Sequence, residues 1–307
     1  MFKYYLYKFL RAIFPSKENT KKTIILKSIS LVAIVGIIIC SIWLGSIEVE
    51  HAVLKHENKA IQNVMQDILD NRDPESELYD FELLHEENPD IRAWIVIPGT
   101  DINYPICQTD NNDYYLNHNF NKKFSPFGTL FFDSQNNVAS SQNLTVYGHS
   151  LKNSQMFTNI RKYAKLDYYK EHPIIQLITP EGMVEYKVFA AMVMNAVPED
   201  DNGYLYPFMQ TDFTRQRDFI NWVEEAFERS IIHTPVDILP NDRILTLSTC
   251  GYEFKNQRFV VMARQIRVDE GETSDVAVDE AKRNPNPRYP KKWYDTKKIK
   301  YPWGTQS

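Results

Sequence analysis

The chain has 307 residues and a formal net charge of −5, room for one domain of roughly 200 residues with appendages. An apolar share of 43% is ordinary for a globular protein. The net charge itself says nothing useful about nucleic acid, and no nucleic-acid partner is expected.

Charge is unevenly spread at the N-terminus. Lys3, Lys8, Arg11, Lys17, Lys21, Lys22 and Lys27 precede the first long apolar run, with only Glu18 opposing them. Ser28 to Ile47 then carries no charge, long enough as a helix to cross a bilayer core of about 30 Å. Acidic Glu48 and Glu50 follow directly, so the positive-inside rule places the N-terminus in the cytoplasm. A cleaved signal peptide or a buried core helix would also be apolar. However, no small-x-small cleavage site follows cleanly, and the run is long for a signal peptide. The expectation is a single-pass, uncleaved anchor in the cell membrane: residues 1–27 cytoplasmic, 28–47 spanning, the rest extracellular. Cys40 falls inside the span, leaving Cys107 and Cys250 outside. A disulfide between them is conceivable in an oxidising compartment.

Residues 48–71 lack Gly and Pro and predict a helix continuing out of the membrane, with Val53, Ile61, Val64, Ile68 and Leu69 as a partial apolar face. Asn71-Arg72-Asp73-Pro74 breaks it, and Glu75 to Glu87 predicts a second short helix. From Ile91 the pattern becomes strand-like: Ile91–Ile97, Ile102–Cys107, Gly128–Asp133 and Leu144–His149. Helical spacing returns at Met156–Tyr163, then strands at Ile174–Ile178 and Val184–Met194. Asp212 or Thr214 is a candidate cap for a helix whose Phe219, Trp222, Val223, Ala226 and Phe227 share a face. Ile244–Thr249 and Phe259–Val268 supply the last strands. About eight short strands with peripheral helices suggest a mainly β fold, a closed or nearly closed β-barrel over 91–268. An extracellular helical segment (48–90) precedes it and a basic, Pro- and aromatic-rich tail (269–307) follows.

Leu245-Thr246-Leu247-Ser248-Thr249-Cys250 ends a buried-type strand in a thiol, and Arg258 opens the next strand. Asn143 to Tyr147 leads through Gly148 to His149. Cys, His and Arg at strand ends can make a thiol nucleophile, a proton carrier and an oxyanion clamp. Each also has a bland alternative: a core thiol, a loop histidine, a surface arginine at a strand start. The other histidines, His118 included, and Arg264 and Arg267 fit those alternatives better. Gly148, lacking a side chain, would leave room for a substrate. Alternation puts Ser248 on the face of Cys250 and Tyr147 on that of His149.

Thr246-Leu247-Ser248-Thr249-Cys250 resembles the Thr-Leu-x-Thr-Cys nucleophile motif of the sortases, cysteine transpeptidases of Gram-positive cell surfaces. Helices ahead of the first strand, the stretch from Asn88 through Trp94 to Asn103-Tyr104-Pro105-Ile106, and a helix before the nucleophile strand are similar to class B over about residues 50–268. The resemblance implies an eight-stranded sortase barrel and catalytic Cys250, His149 and Arg258. It implies substrate contacts from Ser248, Thr249, Tyr147, Asn112 and Leu116, and it demands no cofactor or metal. With Cys250 as nucleophile, Cys107 is read as a free, buried strand thiol. Some relatives place an acidic residue just after the nucleophile, where this chain has Gly251.

The activity so implied is cleavage of a C-terminal sorting signal of a secreted protein after Thr, through a thioacyl-enzyme resolved by an amine of a peptidoglycan precursor. Alternatives are a pilin-polymerising sortase using a pilin Lys, a cysteine peptidase transferring to water, and a non-catalytic surface module. Class C pilin polymerases usually carry a second, C-terminal membrane helix and often a lid with Asp-Pro-aromatic; here Glu75 follows Asp73-Pro74. The tail interleaves Lys282, Arg283, Arg288, Lys291, Lys292, Lys297, Lys298 and Lys300 with Tyr289, Trp293, Tyr294, Tyr301 and Trp303. It reads equally as an adhesive for anionic wall polymer or lipid headgroups and as a strap packed on the barrel.

Overall fold

The computed structural model describes residues 2–16, 18–73, 76, 78–151, 155–270 and 276–303. Two compact units divide the chain, Met1–Ala60 and Ile61–Ser307. In the first, α1 (Phe2–Ile13) is followed by the start of α2 (Lys21–Asp70). Lys27 Nζ donates to the carbonyl of Arg11 at 2.6 Å. Helix α2 is unbroken, so the apolar run and the helix expected after it are one element. Among the described residues it is the one helix long and apolar enough to cross a membrane.

In the second unit the C-terminal part of α2 buries Ile61, Met65 and Ile68 with Tyr79, Phe81, Leu84 and Trp94, and Val64 and Leu69 pack partly. Val53, expected on that apolar face, is half exposed, at 50%. The helix expected over Glu75–Glu87 is shorter: α3 covers Glu82–Glu87. Glu75 lies outside the described residues. Tyr79 is diverted from the helix because its N–H donates to the carbonyl of Pro180 at 3.0 Å. The Asp80 carboxylate then accepts the N–H of Glu82 at 2.9 Å and opens the helix there.

Eight strands close the barrel: β1 (Ile91–Val96), β2 (Asn103–Cys107), β3 (Leu130–Phe132), β4 (Asn143–Tyr147), β5 (Ile174–Thr179), β6 (Gly182–Asn195), β8 (Ile244–Cys250) and β9 (Gln257–Gln265). Their order is β1-β2-β3-β4-β8-β9-β6-β5, with β5 returning to β1. Pairing is parallel only for β2–β3 and β4–β8. Parallel neighbours need long crossovers, and the one between β4 and β8 carries β5, β6, a two-residue strand outside the barrel and two α-helices, α4 (Leu166–Glu171) and α5 (Gln216–Arg229). The helical spacing near Met156 is realised as a 3-10 helix, Phe157–Ala164.

Helix α5 presents Phe219, Trp222, Val223 and Ala226 to Met192, Met194, Val260 and Met262 of the barrel. Truncating one of its buried aromatics to Ala would cost about 3–5 kcal/mol. Neither Asp212 nor Thr214 caps this helix; Arg215 takes the cap position without a side-chain cap bond. The Asp212 carboxylate is spent elsewhere, accepting the N–H of Gln142 at 2.9 Å.

Outside the barrel, β7 (Ile232–His233) pairs with β10 (Lys282–Arg283). The C-terminal tail is thereby packed as a strap, with Asn284 Nδ2 donating to the carbonyl of Ser230 at 2.7 Å. Its last helix, α6 (Lys291–Lys297), buries Tyr294. Lys282, Arg283, Lys292, Lys298 and Lys300 remain exposed. Residues 271–275 and 304–307 of the tail lie outside the described residues.

Candidate active site

Strand β8 is buried along its length except at its end, where Cys250 reaches partial exposure. A strand covered on both faces must satisfy its own hydroxyls. Thr246 Oγ1 donates to Asn143 Oδ1, and Thr249 Oγ1 to the carbonyl of Gly148, each at 2.7 Å. Register does the rest. In the antiparallel β8–β9 pair, Cys250 lies directly opposite Arg258. In the parallel β4–β8 pair, Tyr147 lies opposite Ser248, and the same offset two residues on brings His149 level with Cys250.

These side chains line one cleft of about 320 Å³. All eight residues singled out in the sequence border it: Cys250, His149, Arg258, Ser248, Thr249, Tyr147, Asn112 and Leu116. His149 Nε2 lies 2.8 Å from the carbonyl of Leu116. A carbonyl only accepts, so Nε2 carries the hydrogen and a neutral ring keeps its lone pair on Nδ1. Tyr147 donates to Asp133 Oδ2 at 2.7 Å, and Asn112 Nδ2 donates to the same oxygen at 3.1 Å. Burial, then the Asp133 carboxylate, push the Tyr147 phenol above its ordinary range, so it stays a neutral donor. Ser248 is buried, and its Oγ has no hydrogen-bond partner among the described residues. A hydroxyl left so costs about 1–3 kcal/mol, which a substrate polar group in the cleft would offset.

Several lining residues escaped the sequence reading: Phe131, Ala196, Leu205, Phe208 and Met209. The signal for three of them was an apolar run, Leu205-Tyr206-Pro207-Phe208-Met209, inside a segment otherwise read as loop. Asn195 holds that loop, its Nδ2 donating to the carbonyls of Val197 and Tyr204 at 2.8 Å each.

The structure corrects two readings near the site. Gly148 does not make room for substrate: a Cβ there would sit 2.3 Å from Leu130 Cδ2 and 2.7 Å from Phe157 Cδ2. Its missing side chain is needed by the core. Arg264 and Arg267 are not idle surface arginines. Arg264 is buried and its Nη2 pairs with Glu270 at 2.7 Å, while Arg267 pairs with Asp242 at 2.7 Å. This network ties the end of β9 to the loop before β8. Gly251 is explained in the same way as Gly148, since a Cβ would meet Gln257 Oε1 at 2.2 Å.

His118 is stacked on Tyr114, with ring centroids 4.1 Å apart, and does not border the cleft. Cys107 is fully buried, and both it and Cys250 are free thiols. A larger cleft of about 710 Å³, bordered by Asp67, Arg72, Tyr79 and Glu181, contains no thiol and no imidazole. Among the described residues no three His, Cys, Asp or Glu gather to hold a metal ion.

Comparison with known proteins follows the same outline. Residues 95–266 match the family model of the sortase domain. Sortase B of Staphylococcus aureus is 34% identical over 191 residues, 61% of this chain and 75% of that protein. Sortase B of Listeria monocytogenes is 30% identical over 259 residues, 80% of this chain and 98% of that one. Among solved structures, Clostridium perfringens sortase B aligns with a TM-score of 0.57 at 34% identity, covering 61% of this chain and all of that one. An eight-stranded barrel with a thiol, an imidazole and a guanidinium on one rim, together with these similarities, shows that the chain belongs to the sortase family of cysteine transpeptidases and is of the class B type.

Proposed function

We propose that Cys250 is the nucleophile, His149 the proton carrier and Arg258 the oxyanion clamp of a membrane-anchored transpeptidase acting on C-terminal sorting signals. The observation that carries this reading is the register that sets Cys250 opposite Arg258, with His149 on the adjoining strand end. The thiolate attacks the carbonyl of the Thr at the scissile bond, and negative charge develops on its oxygen. Arg258, always charged, holds that oxygen with fixed N–H donors. His149 protonates the departing amine and takes the proton of the incoming one, Nδ1 being the nitrogen that gains and loses it. A C–S bond forms as the peptide C–N bond breaks, and an amine of the peptidoglycan precursor then reverses the exchange.

The donor peptide lies along the cleft, its apolar parts against Leu116, Leu205, Phe208 and Met209. Ser248, Thr249, Tyr147 and Asn112 supply polar contacts. The basic N-terminal stretch stays in the cytoplasm, residues 28–47 cross the membrane and the barrel faces outward. The related Staphylococcus aureus sortase B, solved as a substrate complex, aligns at 29% identity with a TM-score of 0.62, which supports a peptide donor.

The test is intact mass after incubation with a panel of x-Pro-x-Thr-x peptides, with and without an added amine. A fragment adduct on Cys250 that transfers to the amine is expected. An adduct released only to water would move the activity to a peptidase, and isopeptide-linked ladders with a pilin Lys would move it to pilus assembly. An unreactive Cys250 in folded protein would sink the mechanism.

A further inference from the structure

The loop that follows Cys250 borders a second cavity, about 270 Å³, on the other side of the β8–β9 hairpin. Gly251, Gln257 and Phe259 line it, whereas Arg258, which alternates with the last two, lines the candidate active-site cleft. The wall also draws on the 3-10 helix through Arg161, on the loop after Cys250 through Glu253, and on the C-terminal strap through Arg283, Tyr289, Trp293 and Lys297. That wall is built rather than draped. Arg283 pairs with Ile232 across the small sheet, and the Tyr289 and Trp293 rings stack at 3.9 Å.

Its charge is unbalanced. Lys297 pairs with Glu253 at 3.2 Å, but Arg161 and Arg283 form no ion pair among the described residues. Arg161 instead lies 4.6 Å over the ring of Tyr252. Glu253, the one carboxylate in the lining, is taken by Lys297, so two guanidinium groups are left over, and they suit an anionic oxygen pair, which each can hold through two N–H donors. The cavity is smaller than typical small-molecule sites of about 300–1,000 Å³, so it suits a terminal group and not a polymer segment. It also touches the chemistry. Gly251 follows the nucleophile directly, and the Tyr252 hydroxyl donates to the carbonyl of Ser150, the residue after His149.

We propose that this cavity holds a carboxylate of the acceptor, an amino-acid or short peptide amine, while its nitrogen attacks the acyl group on Cys250. The inference rests on the transpeptidase reading above. An amine borne by an amino acid brings a carboxylate within a few bonds, and the donor peptide already occupies the cleft on the opposite side of the hairpin. In the step itself the amine nitrogen bonds to the thioester carbon, the C–S bond breaks, Cys250 leaves as thiolate and the amine proton passes to His149.

The experiment uses the full chain in detergent micelles and a donor peptide that acylates Cys250. Aminolysis is compared between triglycine and triglycine amide, which differ in the carboxylate. Triglycine is expected to win by about tenfold in kcat/KM, the equivalent of roughly one charge-assisted hydrogen bond. Arg283→Gln and Arg161→Gln should each bring the ratio close to one. The ratio is internal to each protein and so does not depend on the fraction folded. Equal use of the two acceptors by the unsubstituted protein, or a preference that survives both substitutions, overturns the proposal. In parallel, N-acetylglycine and inorganic phosphate are titrated against unacylated protein carrying 15N-labelled tryptophan. A shift of the Trp293 indole with N-acetylglycine supports the carboxylate site even if no peptide acylates Cys250, in which case only the transpeptidase reading falls. A shift with phosphate and none with N-acetylglycine assigns the cavity to a phosphate-bearing ligand and overturns the carboxylate assignment.

Discussion

Two strands of this barrel end in a free thiol, and the two corners are unalike. At the end of β2, Cys107 is fully buried, with Asn88 Nδ2 donating to its sulfur at 3.5 Å. Burial pushes that thiol well above its ordinary value, so it stays protonated and inert. At the end of β8, Cys250 is partly exposed, opposite a guanidinium and level with an imidazole. Both thiols close strands that are buried along most of their length. What separates them is the neighbour that register supplies and access to solvent, so a strand-end cysteine is chemically undefined until its partners are known.

Substitution is the most direct way to break the comparison. Cys250→Ala should lower turnover by about 10⁴-fold or more, by analogy with removal of a nucleophile elsewhere, whereas Cys107→Ala should keep turnover within a small factor. Peptide cleavage by both proteins, followed by mass spectrometry, decides it; an active Cys250→Ala enzyme would falsify the assignment. Arg258→Lys comes next. It keeps the charge but loses the fork of donors, and should reduce kcat by about 10²–10³-fold with a smaller change in KM.

Packing sets the next two effects. Gly148→Ala forces a methyl against Leu130 and Phe157 and should cost about 1–3 kcal/mol, read as a lower urea midpoint. Cys107→Ala should cost about 1 kcal/mol by the same measurement, since it removes one buried sulfur. The smallest effect lies outside both corners. The hydrogen bond from Arg264 holds Glu270 at a pKa of about 2, below its ordinary 4.5. A depressed carboxylate contributes stability in full above its unfolded value and loses it as pH falls through its folded one. Glu270→Gln should therefore narrow the stability difference between pH 7 and pH 2, most visibly between 4.5 and about 2. An unchanged pH profile of the urea midpoint would show that the pair is too exposed to matter.

Much of the barrel was legible because its strands are short, β-branched and bounded by turn residues, and the ends moved by three residues or fewer, the largest shift being from Val268 back to Gln265 in β9. The cleft was legible at Cys250, Arg258 and His149 because the motif and the strand order place them at one rim. Other features were not. The cap of α5 was misassigned because Asp212, a good capping residue, is used by Gln142, 70 positions away in sequence. Gly148 was misread because the atoms that exclude a Cβ there belong to Leu130 and Phe157, and no local pattern carries that. The buried role of Arg264 depends on Asp237 and Glu270, likewise a tertiary fact. Basic and aromatic residues in the tail fit a strap as well as an adhesive until the pairing of β10 with β7 is seen.

The parallel pairing of β4 with β8 also bears on when the enzyme becomes an enzyme. Asn143 meets Ile244 and Tyr147 meets Ser248, so His149 and Cys250 come level only after a loop of about 100 residues has closed. Contacts that distant in sequence are the slow ones in folding. During synthesis the histidine is made well before the thiol, and a partial chain that stops short of β8 lacks Cys250, the proposed nucleophile. Recovery of peptide-cleaving activity on refolding should therefore follow the slowest global phase, with no active species ahead of it.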